Sequence, residues 1–243
     1  PADSGADNVY DVTVQVADGN GGTGTQAIAV TIGNVNEAPV ISSDGSGASA
    51  TLGVAENQTA VTMLTSSDVD GGTPSYSIVG GADAALFSID SATGVLTFNS
   101  APDFEAPADS GADNVYDVTV QVSDGNGGTG TQAIAVAVRN VNEAPLITSN
   151  GGGASANVAI AENQTAVAVV TSTDIDGGAA QYAIAGGADA ARFTIDAAAG
   201  TLRFASAPDF EAPSDADRDN VYELVVSVAD GNGGSDQQTI AVA

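Results

Sequence analysis

The chain repeats itself with a constant offset of 106 residues, so that residue 1 corresponds to 107, 54 to 160 and 100 to 206. "PADSGADNVYDVTVQV" at 1–16 returns unchanged at 107–122. "VAENQTAV" at 54–61 returns as "IAENQTAV" at 160–167, and "SAPDFEAP" at 100–107 returns at 206–213. A period this long is a whole small domain, because solenoid repeats run about 20–50 residues. The chain therefore divides into three pieces. Residues 1–37 are the closing hairpin of one repeat, 38–143 a complete repeat, and 144–243 a second, nearly complete one. The sequence opens on Pro1, and we expect it to be a segment of a longer array.

The local pattern is β. In "VYDVTVQV", Tyr116, Val118, Val120 and Val122 alternate with Asp117, Thr119 and Gln121, the period-2 signature of a half-buried strand. "GNGG" turns the chain, and "TQAIAVAV" supplies a partner strand with Ile134, Val136 and Val138 on one face. A second hairpin is expected over 86–98, with Phe87 and Ile89 facing Leu96 and Phe98, and further strands near 54–65 and 75–79. No segment carries a helical stripe, although the "GADAA" runs could hold a single helical turn. About seven short strands in about 100 residues predict an all-β fold: tandem seven-stranded Greek-key sandwiches in an elongated array.

The charge is strongly one-sided. Thirty-one acidic residues face four arginines, for a net charge of −27. Such a surface repels nucleic acid and anionic lipid, so we expect neither nucleic-acid binding nor membrane insertion by this segment. Hydrophobic residues make up 43% of the chain, too many for a disordered acidic tail. Cysteine and histidine are absent, which removes disulfides, thiolate chemistry and His-based zinc sites and triads.

The acidic residues recur in four strings at expected strand ends. "AEN" gives Glu56 and Glu162. "DVD" and "DID" give Asp68, Asp70, Asp174 and Asp176. "PDFE" gives Asp103, Glu105, Asp209 and Glu211, and "V-[AS]-D-G" gives Asp18, Asp124 and Asp230. The loops of a sandwich gather at its two ends, so these carboxylates should converge. Two unit charges about 4 Å apart repel by roughly 1 kcal/mol in water and about 4 kcal/mol at an effective dielectric near 20. With no lysine in the chain, a hard divalent cation is the natural counter-charge, and calcium takes oxygen ligands of this kind. Plainer readings exist for each string. "DGNGG" suits a hairpin turn, "DVDGG" a solvated turn, and "NQT" at 57–59 and 163–165 fits a glycosylation acceptor. Asp/Glu pairs could serve a glycosidase, but every candidate recurs in each repeat.

Taken together, the strings resemble cadherin repeats in the cadherin-like form of large bacterial surface and secreted proteins. Glu56, "PDFE" at 102–105, "NVNEAP" at 140–145, "DID" at 174–176 and "VAD" at 228–230 follow the family's order. The resemblance implies seven-stranded Greek-key domains with up to three calcium ions between consecutive repeats. Its pattern carries over onto Glu56, Asp103 and Glu105 of one repeat. From the linker it takes Asn140, the Val141 carbonyl, Asn142, Glu143 and the Ala144 carbonyl. From the next repeat it takes Asp174, Asp176 and Asp230. An earlier junction is implied at Asn34, Asn36, Glu37, the Ala38 carbonyl, Asp68, Asp70 and Asp124. The linker departs from the family pattern: it is one residue shorter before its proline, its leading Asp is Asn140, and its central Asp is Glu143.

The function implied is a non-enzymatic, calcium-stiffened extracellular repeat, at the cell surface or on a secreted bacterial protein. Its partners would be the other repeats of the same protein. Two alternatives are a calcium-dependent adhesin module recognising polysaccharide or another cell, and a self-assembling filament subunit built from identical chains.

Overall fold

In a computed structural model, which describes residues 3–243, the chain forms two compact units. One holds the residues up to Val54 together with Thr59–Ser100 and Asp109–Ala137. The other holds Ala55–Gln58, Ala101–Ala108 and Val138–Ala243. Each contains a sandwich of a four-stranded and a three-stranded sheet.

In the first unit the four-stranded sheet runs in the order Ser49–Ala55, Thr129–Arg139, Val115–Ser123, Ser75–Gly80. Ala60–Met63, Val95–Phe98 and Phe87–Ile89 form the facing sheet. The second unit repeats this with Ser155–Val158, Ser235–Val242, Tyr222–Ala229 and Gln181–Gly186, and with Ala166–Val169, Thr201–Phe204 and Phe193–Ile195. Ser155–Val158 pairs in parallel with Ser235–Val242, while the neighbouring pairs are antiparallel. Parallel neighbours cannot be joined by a tight hairpin, so this pairing closes the Greek key.

Alternation decides which face is buried. Tyr116, Val118, Val120 and Val122 are each at most 1% exposed, and Ile134, Val136 and Val138 meet them from the partner strand. The expected hairpin register holds, with Phe87 opposite Phe98 and Ile89 opposite Leu96. Phe98 stacks on Phe87 at 4.6 Å and meets Tyr116 edge-on at 5.1 Å; Phe204 bridges Phe193 and Tyr222 in the same way. Each fully buried Leu, Phe or Val contributes roughly 1.5–3 kcal/mol by leaving water.

The strand expected near 54–65 is two strands. Asn57 adopts φ +63°, which ends Ser49–Ala55 in one sheet and lets Ala60–Met63 start in the other. Asparagine tolerates this left-handed conformation far better than a β-branched residue. The "NQT" string is therefore a sheet-switching turn. A short pair, Val40–Ile41 with Ser66–Ser67, was also not visible in the alternation. The "GADAA" runs do hold single turns of 3-10 helix, Ala84–Leu86 and Ala190–Arg192.

The hairpin Val9–Ala17 with Thr23–Thr31 shows how far burial depends on partners. Its sequence matches that of the buried pair, yet Tyr10 is 40% exposed where Tyr116 is 1% exposed. The period-2 pattern makes the hairpin; a facing sheet makes the core.

Several aspartates hold the sandwich together from inside. Asp83 is buried and accepts the N–H groups of Ser110 and Asp117 at 2.7 and 2.8 Å. Asp189 does the same for Ala216 and Glu223. At Asp109, burial works against ionisation, but N–H groups from Asp113, Asn114 and Gly111 hold the carboxyl below its ordinary value. Removing such an acceptor strands buried donors, at about 1–3 kcal/mol each. Asp83→Ala should lower unfolding stability in urea by that order, and Asp83→Asn, which keeps one acceptor, by less. Equal midpoints for wild type and Asp83→Ala would show that these bonds contribute nothing.

Candidate metal centre at the repeat linker

The linker 140–144 threads through carboxylates, and its backbone and amide donors meet them. Glu56, 3% exposed, accepts the Val141 N–H on Oε1 and the Phe104 N–H on Oε2, each at 2.7 Å. Asn140 donates to Glu105 Oε1 at 2.8 Å and to Asp176 Oδ1 at 2.7 Å. The Glu143 N–H reaches Asp176 Oδ2 at 2.6 Å, and Asn142 donates to Asp230 Oδ2 at 2.6 Å. All these residues belong to the second compact unit.

Three carboxylates converge most closely. One oxygen each from Glu56, Glu105 and Glu143 lies within 4.8 Å of the others. Glu143 takes an Asn57 N–H on Oε1 at 2.7 Å, while its Oε2 is buried without a partner. Burial, then the charges of Glu56, Asp176 and Glu143, push the Glu105 carboxyl up. Glu143 is pushed up by burial and by Glu56 and Asp176, against the Asn57 bond. Asp176 is instead held down by the Glu143 N–H and Asn140, and Asp230 by Asn142.

Other expected site residues stand one step back. Asp103 Oδ1 accepts the N–H groups of Glu105 and Ala106, and so shapes the "PDFE" loop. Asp174 Oδ1 takes the Asp176 N–H at 3.1 Å. Val141 takes part through its backbone. Ala144 packs over the 230–234 turn, where a Cβ on Gly234 would lie 2.7 Å from Ala144 Cα and closer still to Asp230 Oδ2. Gly234 is thus fixed by the linker crossing above it, a constraint that the hairpin-turn reading of "DGNGG" does not contain. Asn57 was missed because its "NQT" string reads as a glycosylation acceptor, which gives no reason to place it at the linker.

The earlier linker repeats the arrangement within the first unit. Asn34 and the Glu37 N–H each reach Asp70 at 2.7 Å, and Asn36 reaches Asp124 Oδ2 at 2.6 Å. Gly128 lies under Ala38 as Gly234 lies under Ala144. Asp68 Oδ1 accepts the Asp70 N–H at 2.8 Å, and its Oδ2 is buried without a partner. Asp70, through its hydrogen bond and its charge, pushes Glu37 up. Asn36 holds Asp124 down, and the Glu37 N–H and Asn34 hold Asp70 down. In the last repeat Glu162, Asp209 and Glu211 also lie within 4.8 Å of one another, and all three are exposed.

The chemistry of the donor set is all oxygen: carboxylates, amide side chains and carbonyls. The partnerless Glu143 Oε2 and Asp68 Oδ2 are acceptors that a hard cation would satisfy, so the residues present fit calcium.

The sign of the titration follows from these shifts. A carboxyl raised in the folded state stabilises below its unfolded value and loses that contribution as pH rises through the folded one. For Glu37, Glu105 and Glu143 the window opens at the ordinary value of 4.5 and extends upward. For the depressed Asp70, Asp124, Asp176 and Asp230 stability is lost as pH falls below 3.8. The ion-free chain should therefore melt at progressively lower temperature as pH is raised from 4.5 in chelator. Melting curves that stay flat there would show that the glutamates are not crowded.

A cadherin domain model matches residues 156–243, and a bacterial Ig domain model matches residues 36–137. Among solved structures, the chain is similar to the protocadherin gammaB7 EC3-6 cis-dimer structure, at 22% identity and a TM-score of 0.57, covering 99% of this chain and 61% of that one. It is similar to protocadherin Gamma B2 extracellular cadherin domains 3-6, at 27% identity and a TM-score of 0.53, covering 99% and 59%. Mouse cadherin-23 EC22-24 matches at 20% identity and a TM-score of 0.50, covering 97% and 74%. The chain thus spans less than two thirds of the length of the first two structures. No curated protein matches it.

Proposed function

We propose that the chain is a tandem of cadherin-like repeats and that it acts as a calcium-binding structural and adhesion repeat of an extracellular protein, stiffened by calcium at its linkers. One observation carries the reading. Glu143, in the linker, brings a partnerless buried oxygen to the carboxylates of Glu56 and Glu105, in a chain with no lysine. The sequence assigns Glu56 and Glu105 to one repeat and Asp174, Asp176 and Asp230 to the next. A cation held by linker and loops together would couple its binding to the shape of the array.

Glu56, Asp103, Glu105 and Glu143 would hold ions on one side of the linker, with Asp174, Asp176, Asp230, Asn140, Asn142 and the carbonyls of Val141 and Ala144 completing the set. Asn34, Asn36, Glu37, the Ala38 carbonyl, Asp68, Asp70 and Asp124 would hold one at the earlier linker. Repeat boundaries at 37/38 and 143/144 follow from the same assignment. On this reading residues 1–37 are the last strands of another repeat, which is supported by their near-identity to strands whose apolar face is buried.

Extracellular modules of this sort bind calcium at about 10⁻⁴–10⁻³ M. At 100 times the dissociation constant, one site adds about 2.7 kcal/mol of stability. Chelation should therefore lower the melting temperature and shorten the maximum dimension in small-angle scattering, with calcium restoring both. Glu143→Gln should weaken the tightest calcium binding by ~10-fold or more. If chelation changes neither melting nor dimension, the calcium-stiffened reading fails.

A further inference from the structure

Glu143 carries its carboxylate on a long, rotatable arm, and the negative charges of Glu56, Glu105 and Asp176 surround it. A free glutamate in that field would swing away, escaping repulsion and regaining rotamer freedom. Glu143 does not. Its Oε2 is buried, and one of its oxygens lies within 4.8 Å of oxygens of Glu56 and Glu105. Among the described residues one amide reaches the carboxylate: Asn57 Nδ2 donates to Glu143 Oε1 at 2.7 Å. The two oxygens are thereby divided, Oε1 toward Asn57 and Oε2 inward without a partner.

The turn at Asn57 does not need this amide for its own sake, and the next repeat shows it. Asn163, 106 residues on, has the same φ of +63°. Its backbone N–H is bonded to Pro208 O at 2.9 Å, as that of Asn57 is to Pro102 O at 3.0 Å. Yet the Asn163 side chain is exposed and makes no hydrogen bond among the described residues. A left-handed backbone accounts for asparagine at both positions. It does not account for the direction of the Asn57 amide.

The neighbouring residue explains how that direction is kept. The Glu56 N–H is bonded to Arg139 O at 3.0 Å, and Glu56 Oε1 takes the Val141 N–H. Turn and linker are therefore in fixed register from 139 to 141. Asn57 extends the register to the side chain of residue 143. It turns N–H groups toward the carboxylate, and an N–H cannot ligate a cation, so Asn57 acts through Glu143.

We propose that Asn57 is a positioning residue of the linker site, which holds the Glu143 carboxylate against Glu56 and Glu105 before a cation arrives and leaves Oε2 as the ligand atom. The proposal rests on the calcium reading of the linker and adds the residue that sets its affinity. Ordering a glutamate arm costs conformational entropy whenever it happens. With Asn57 the arm is ordered in the ion-free fold, so calcium meets a ligand already in place.

The test uses the full chain, with calcium as the only added metal. Asn57→Gly keeps the left-handed turn and removes the amide, and Asn163→Gly makes the same change at a turn whose amide holds nothing. In calorimetric titration Asn57→Gly should weaken the tightest calcium binding by about 10-fold or more, and Asn163→Gly should leave it unchanged. In a Glu143→Ala background, Asn57→Gly should have no further effect, which is the coupling required of a residue that acts through Glu143. In chelator, the Asn57 side-chain amide resonance should lie downfield of that of Asn163, and Glu143→Ala should remove the difference. Unchanged affinity in Asn57→Gly, an equal loss with and without Glu143, or equal amide resonances in chelator would each overturn the positioning role while leaving the calcium reading standing. A wild-type chain that binds no calcium ends both, so the two failures are told apart by the first titration.

Discussion

Repulsion among carboxylates at the ends of the sandwiches is the constraint on which this structure turns. Strand alternation builds the sheets, but it leaves Glu56, Glu105, Glu143, Asp176 and Asp230 gathered around one short linker. The chain answers with N–H donors. Asn57, Asn140 and Asn142, with the backbone of Val141 and Glu143, point their hydrogens at these oxygens. Such bonds offset part of the Coulomb cost without cancelling any charge. That is why Glu105 and Glu143 remain pushed up while Asp176 and Asp230 are pulled down. The linker's composition follows: amides for neutral donation, one glutamate to close the cluster, and Pro145, buried, to fix the entry into the next strand.

Near-identical repeats make several of these effects separable within one molecule. The same valines are exposed in the hairpin Val9–Ala17 and buried in Val115–Ser123. Local propensity is equal in the two, so burial there comes from tertiary partners alone. The same reasoning applies to Asp109 and Asp215, where a shared backbone path carries different side-chain surroundings. The two family models also fall on successive repeats of one period. Ig-like and cadherin domains share the seven-stranded sandwich, so repeats this similar in sequence can fit either description.

Much of the fold was legible because the period-2 signal is strong where one face is buried. Tyr116 to Val122 and Ile134 to Val138 could be placed without a structure. The break at Asn57 was not legible. A left-handed asparagine leaves no trace in hydrophobic alternation, and the strands on either side look continuous. The short pair Val40–Ile41 with Ser66–Ser67 is too brief to show a period. At the linker, the order of the acidic strings indicated which carboxylates belong together, but not the donors between them. Gly128 and Gly234 look like turn glycines, and only the crossing backbone at Ala38 and Ala144 reveals the second reason for them.

The least legible group was the buried aspartates. In a chain this acidic, Asp83, Asp109, Asp189 and Asp215 look like more of the solvated surface. They are interior because backbone N–H groups at the loop ends need acceptors that the sheets cannot supply. The net charge of −27 therefore mixes carboxylates doing different things. Those that terminate loops have their oxygens occupied by the backbone and can be read as structure. Among the described residues, the carboxylates left with a buried, partnerless oxygen are Glu143 and Asp68 at the linkers and Asp3 and Asp215 in the loops that enter the closing hairpins. An unspent acceptor alone does not mark a ligand site; at Glu143 it coincides with the converging carboxylates of Glu56 and Glu105, and that coincidence separates the linker from a fold element.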